Sequence, residues 1–266
     1  MTDYKTMGSL SNKLLAFIST APIHDSNYDI AVALIKNYKK LKGMSIGEMA
    51  ELCYVSTASI SRFSRFLGFD NFKEFKYYLE QEFSLKDDYS RQFYAVLCND
   101  EKMAIAMYRD ELIENIYSTI SPENMEIIPD VIHAIHNSSK VVYFSHHFLW
   151  DIGRFFQGKM ILMGKYVEQY LAYDAQVESA QSLGKDSMAI VCTVGGSYIS
   201  RYSKIWDTIT ASGCKILVIT QNLSNAYLNN ADYVLRCGLS NRDDIGKYSA
   251  MMMTDFLIMS YLKEYS

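Results

Sequence analysis

The sequence predicts an all-α domain followed by an α/β three-layer sandwich with a five-stranded parallel sheet. Three observations carry that reading. The 266 residues suit two ordinary domains. The first 85 place apolar side chains only at three- and four-residue spacing, the period of helices. From about residue 138, short β-rich runs alternate with helical stretches, the order that builds parallel strands covered on both faces.

In chain order, residues 12–19 and 29–41 read as helices, and 45–68 as two helices around a tight turn. Residues 71–83 follow with Phe72, Phe75, Tyr78, Leu79 and Phe83 on one stripe. Residues 84–100 mix polar and aromatic side chains without a clear period and are expected to form the domain boundary. A helix is predicted over 103–119. Ser121-Pro122 with Glu123 and Glu126 starts another, since proline is favoured at the first helical position. Strands are expected at 141–144, 166–171, 188–193, 216–220 and 233–235. Helices at 149–163, 175–183, 199–211 and 226–230 separate them, and a long helix over 242–264 closes the chain.

Composition excludes several classes. With 49% hydrophobic and 21% charged residues the chain is not broadly disordered, and 3 prolines and 13 glycines exclude collagen-like architectures. Cys53, Cys98, Cys192, Cys214 and Cys237 are odd in number and form no CxxC pair. They imply neither a disulfide framework nor a zinc site, and they fit a reducing cytoplasm. The N-terminus lacks the layout of a signal peptide. The apolar run 250–262 is short and carries Asp255, so no membrane span is expected and the predicted location is cytoplasmic. The net charge of −4 is unevenly spread: residues 36–76 hold eight basic and four acidic side chains. Such a basic stretch is the footprint of a polyanion-binding module, or a solvated charged face.

The sharpest local signal lies in 45–68. Ser45 with Glu48 three residues on forms a capping box. Met49, Leu52 and Cys53 face inward, and Ala50 is the small residue where two helices cross. After the turn Tyr54-Val55-Ser56, Ser56 caps a second helix with Ile60, Phe63 and Leu67 inward. Thr57, Ser59, Ser61, Arg62 and Arg65 face outward. Small hydroxyls let a helix N-terminus approach the major groove closely, and arginines supply phosphate charge or bidentate guanine contacts. A packed αα-hairpin shares the apolar spacing but does not predict this outward set. Tyr54 departs from expectation, because the turn position favours glycine.

The run VSTASISRFSRFLGFDNFKEFKYYL closely resembles the N-terminal domain of the RpiR family of bacterial transcriptional regulators. The match continues past the second helix as Leu67-Gly68-Phe69 and Phe72-Lys73-Glu74-Phe75-Lys76. The resemblance implies a helix-turn-helix DNA-binding domain over 1–84 and a helical linker or dimerisation segment over 85–137. It also implies a sugar isomerase (SIS)-like effector domain over 138–266. The expected DNA-facing residues are Ser56, Thr57, Ser59, Ser61, Arg62, Arg65, Lys73 and Lys76. The expected partners are a double-stranded DNA operator, a phosphosugar effector, and further copies of the chain in a homodimer or homotetramer.

In SIS domains, loops after the first and third strands hold the phosphosugar. The first usually carries glycines and a serine; here Ser145-His146-His147-Phe148-Leu149 contains no glycine. The second usually reads Ser-x-Ser-Gly-x-Thr; here it is Thr193-Val194-Gly195-Gly196-Ser197-Tyr198. Thr193 and Gly196 keep their roles, Gly195 loses a hydroxyl, Tyr198 replaces the threonine, and Ser197 offers a substitute donor. Ser145, Thr193, Gly195, Gly196, Ser197 and Tyr198 are therefore the expected ligand residues, for an atypical phosphorylated ligand or for a pocket that binds none.

His146-His147 beside Asp151, and His133 with His136, lack the further ligands a metal requires. No cofactor and no catalytic residue are implied: an isomerase needs a placed base, and nothing in the spacing of Glu178 or the histidines marks one. Two other readings remain open. One is a phosphosugar isomerase with an accessory helical domain; the other is a regulator whose C-terminal half only oligomerises.

Overall fold

The computed structural model describes residues 10–22, 25–81, 89–224 and 226–265. Phe83, assigned above to the stripe of 71–83, lies outside them. The chain forms two compact units, residues 8–84 and 85–266.

The first unit is helical throughout. It contains α1 (Leu10–Thr20), α2 (Ser26–Lys36), α3 (Tyr38–Leu41), α4 (Ile46–Leu52), α5 (Thr57–Phe66) and α6 (Phe72–Gln81). Leu14, Ile30, Leu34, Met49, Ile60, Phe63, Phe75 and Leu79 form its core. Each such side chain contributes about 1.5–3 kcal/mol through burial. The single helix expected over 29–41 is interrupted: Asn37 leaves helical geometry at φ −113°, ψ 17°. Its side-chain amide donates to the Ala33 carbonyl at 2.9 Å.

The second unit begins with α7 (Arg91–Asn99), α8 (Glu101–Thr119) and α9 (Pro122–Asn137). The aperiodic boundary expected over 84–100 thus contains a helix. Ser90 accepts from the Phe93 amide at 3.0 Å and caps it. Phe93 is its one buried side chain; Phe93, Val96 and Leu97 do stand at three- and four-residue spacing, but over only nine residues.

These helices are tied into the α/β unit. Asn124 Nδ2 donates to the Arg236 carbonyl at 2.8 Å and Asn124 Oδ1 accepts from the Arg236 amide at 3.0 Å. Asn115 Oδ1 accepts from the amides of Leu239 and Ser240, and its Nδ2 donates to the Ser240 carbonyl.

The sheet comprises β1 (Lys140–Phe144), β2 (Val167–Gln169), β3 (Ser187–Cys192), β4 (Lys215–Thr220) and β5 (Tyr233–Arg236). All pairings are parallel, in the order β2-β1-β3-β4-β5. Side chains alternate between its faces, as strand geometry requires. Tyr143, Ile190 and Leu217 enter one core with α10 (Phe148–Leu162) and α14 (Gly246–Tyr265). Val142, Val191 and Val218 enter the other, with α11 (Tyr173–Gln181), α12 (Ser197–Arg201) and α13 (Ser203–Ala211).

The predicted α/β three-layer architecture is thus the observed one. The helix expected over 199–211 breaks at Tyr202, which lies at φ −117°, ψ 51° with its ring buried against Tyr198. The closing helix starts later than expected, at Gly246. A Cβ there would meet Val194 and Asn241 side chains at 2.4 Å, so glycine permits the helix to approach the β3 loop.

Candidate functional site

In the first unit the capping box forms as the sequence dictates. Ser45 N donates to Glu48 Oε2 at 2.7 Å and Glu48 N to Ser45 Oγ at 3.3 Å. The Ser45 backbone bond holds the Glu48 carboxyl below its ordinary value. Ala50 is buried where α4 meets α5.

Ser56 caps α5, its Oγ accepting from Ser59 N at 3.1 Å, so this hydroxyl is engaged within the helix. Thr57, Arg62 and Arg65 are exposed; Ser59 and Ser61 are half-buried. Arg62 Nη2 donates to Ser59 Oγ at 3.1 Å, laying the guanidinium back along the helix towards its N-terminus. On α6, Lys73 is exposed and Lys76 pairs with Glu80 at 3.8 Å. The expected outward set therefore shares one unit and two successive helices, with cations reachable from solvent.

In the second unit, β1 leads through α10 to β2 on one side, and the chain then crosses to β3 on the other. The C-terminal ends of adjacent β1 and β3 therefore flank the point where strand order reverses, the usual ligand crevice of such sheets. The loops that follow them, 145–147 and 193–196, meet there.

The loops are joined by side chains. Ser197 Oγ and His146 Nε2 are 3.3 Å apart. His146 is buried against the rings of His147, Tyr198 and Tyr202. Burial, then the neighbouring His147 and Arg201, push its pKa down to about 3, so it is neutral at pH 7. Burial and Arg201 lower His147 as well. His147 precedes α10 at φ 51°, a conformation glycine favours. His146 Nδ1 and the buried Ser145 Oγ have no hydrogen-bond partner among the described residues.

The expected ligand residues divide in two. Ser197 and Gly195 are exposed, and Gly196 takes the left-handed turn at φ 83°. Thr193 Oγ1 instead accepts from the Tyr198 amide at 3.1 Å, holding the start of α12. Tyr198 is fully buried and donates its hydroxyl to Gln176 Oε1 at 2.6 Å. Gln176 Nε2 in turn bonds the carbonyls of Ser145 and Tyr170. The phenol placed by sequence among the ligand groups is thus committed to the interior.

His146, Gln176 and Arg201 were not expected as parts of this site. A buried bond partner thirty residues distant leaves no local pattern. Among the described residues no group of three or more His, Cys, Asp or Glu is placed for an ion. His133 and His136 instead bond the hydroxyls of Tyr265 and Tyr261. No described helix is long and apolar enough to cross a membrane.

Residues 19–86 match the helix-turn-helix domain of the rpiR family. No curated protein matches the chain. Among solved structures, the Vibrio vulnificus NanR protein complexed with ManNAc-6P is 13% identical with TM-score 0.53, over 95% of this chain and 92% of that one. Phosphoheptose isomerase GmhA from Neisseria gonorrhoeae is 9% identical with TM-score 0.50, over 61% and 98%. The sugar isomerase domain of an RpiR transcription factor from Sphaerobacter thermophilus is 14% identical with TM-score 0.49, over 60% and 88%. At these identities the likeness is one of fold. Residues 19–86 thus match an rpiR-family helix-turn-helix domain, and the α/β unit that follows shares its fold with sugar-phosphate isomerases.

Proposed function

We propose that this protein is a sequence-specific DNA-binding transcription regulator whose α/β domain responds to a phosphorylated sugar and catalyses no reaction. One observation carries the reading: α5 is capped by Ser56 and presents Thr57, Arg62 and Arg65 to solvent within an rpiR-type helix-turn-helix. Its N-terminal turn enters the major groove, with Ser59 and Ser61 lining the approach. Lys73 and Lys76 lie beside the phosphate strand. Residues 1–84 act as the DNA-binding part and 138–266 as the effector part.

The helices over 85–137 and the outer face of α10 contribute to self-association. Phe148, Phe155 and Leu162, seven residues apart on α10, are exposed, and apolar stripes of this kind mark interfaces. A homodimer or homotetramer reads an operator of twofold symmetry, with half-sites about 34 Å or a multiple apart.

The effector reaches the crevice through Ser145, Gly195, Gly196 and Ser197. The reading without catalysis is supported by the surroundings of Glu178 and His146, neither of which the sequence marks as a base. Glu178 is exposed on α11, and neutral His146 is enclosed by aromatic rings.

Selection from a random duplex pool tests the DNA-binding part, and recovery of no enriched twofold sequence overturns it. Thermal unfolding against phosphosugars and their unphosphorylated parents tests the effector part. A ligand at 100 times its dissociation constant adds about 2.7 kcal/mol, a rise of a few degrees. The buried Tyr198 phenol and the engaged Thr193 hydroxyl favour a second reading, in which the α/β domain only oligomerises. A panel without any shift selects that reading.

A further inference from the structure

The turn between α4 and α5 closes by two backbone bonds, Val55 N to Ala50 O at 2.9 Å and Tyr54 N to Glu51 O at 3.1 Å. This double closure requires a left-handed residue at its centre, and Tyr54 supplies it at φ 55°. The same pair of bonds ends α5: Phe69 N reaches Ser64 O at 3.1 Å and Gly68 N reaches Arg65 O at 2.9 Å. There the left-handed residue is Gly68, at φ 90°.

One motif thus occurs twice, fourteen residues apart, once with a residue whose Cβ opposes it and once with the residue that adopts it freely. Burial of the ring could offset that cost, yet Tyr54 is 97% exposed. The folded domain therefore holds a strained residue whose side chain stabilises nothing within it. Strain of this kind collects where a partner binds.

The position of the turn indicates the partner. Tyr54 stands two residues before Ser56, the cap of α5, and Tyr54, Ser56 and Thr57 are all exposed. When the N-terminal turn of α5 enters a major groove, the sugar-phosphate strand bordering the groove runs past the residues just before the helix. A phenol suits such a strand: its hydroxyl donates to a phosphate oxygen and its ring packs on deoxyribose. We propose that Tyr54 is a sequence-independent contact to the DNA backbone, an inference that rests on the DNA-binding reading above.

The test uses the full chain and a mixed-sequence duplex, followed by fluorescence anisotropy at several salt concentrations. Tyr54→Gly relieves the backbone and is expected to raise the unfolding midpoint while weakening duplex binding about three- to tenfold. Tyr54→Phe keeps the backbone and the ring and is expected to lose only the share of that affinity supplied by the hydroxyl's bond to phosphate, about two- to threefold. Its salt slope should match the unaltered protein, because a neutral phenol displaces no counterion. Arg62→Ala serves as the reference.

Both Tyr54 variants binding as tightly as the unaltered chain, while Arg62→Ala binds more weakly, overturns the proposal. The exposed ring then faces a protein partner or none. Absence of duplex binding by the unaltered chain at low salt sinks the DNA-binding reading itself, and the role of Tyr54 with it.

Discussion

Ser197 Oγ lies 3.3 Å from His146 Nε2, so a side-chain bond joins the loops that end β1 and begin α12. A glycine in the first loop would leave its backbone open to a phosphate. Histidine instead fills the space between the loops with an imidazole, and burial keeps it uncharged. The imidazole and Ser197 Oγ therefore occupy the junction of the two loops, beside a Ser145 hydroxyl that is buried without a partner among the described residues.

The buried imidazole makes the fold acid-sensitive. His146 titrates near 3 when folded and from an ordinary 6.5 when unfolded, so the unfolded chain takes up the proton first as pH falls. Its contribution is intact above about pH 6.5 and is lost progressively below it, about 2 kcal/mol between pH 7 and 5. His147 acts in the same direction. Urea midpoints at the two pH values check this, and His146→Gln should flatten the difference. An undiminished loss in that variant would refute the assignment.

Arg62→Ala or Arg65→Ala should cost roughly 1–3 kcal/mol of operator binding. Both side chains are exposed, so the unfolding midpoint should stay put. Unchanged affinity in both variants would remove α5 from the interface. Binding by the unaltered protein should weaken steeply with salt as phosphate counterions are released, and a flat profile would argue against phosphate anchoring.

Asn124 completes the exposed edge of β5 by pairing both backbone groups of Arg236, while Nδ2 also reaches the Thr119 carbonyl at 2.9 Å. It is buried, so Asn124→Ala strands several polar groups and should destabilise the second unit by about 2–3 kcal/mol. Calorimetry that shows no loss would mean that α9 does not anchor the edge strand.

Gly153 and Gly158 lie on the same helix, α10, and should respond oppositely to alanine. A Cβ at Gly153 would lie 2.4 Å from the Tyr143 ring and 2.7 Å from Gln169 Nε2, whereas one at Gly158 meets nothing within 4 Å. Overpacking should cost Gly153→Ala about 1–3 kcal/mol. Gly158→Ala should gain about 0.5–1 kcal/mol through helix propensity. Equal effects in thermal unfolding would show that α10 does not press on β1 at Gly153.

Much of this was legible in the residues themselves. The Ser45–Glu48 box and the Ser56 cap are local chemistry, since their partners lie three residues apart and the bonds form wherever the helix starts. The strands were legible because both faces of the sheet are buried and every position in β3 is apolar or small. Helix α7 was not read, because its apolar face is short: Phe93 is buried, Val96 half-buried, and polar or exposed aromatic residues surround them. The helix breaks at Asn37 and Tyr202 also escaped, since both residues occur freely within helices.

The sequence by itself determined two domains, their fold classes and the outward face of α5, because each follows from periodicity and from bonds between near neighbours. The tertiary structure alone decided what stands at the mouth of the sheet. The order β2-β1-β3 brings residues 145–147 against 193–197, turns Tyr198 inward to Gln176 and sets Arg201 near both histidines. Those partners are separated by tens of residues. Their meeting depends on strand order and crossover packing, which no local pattern encodes.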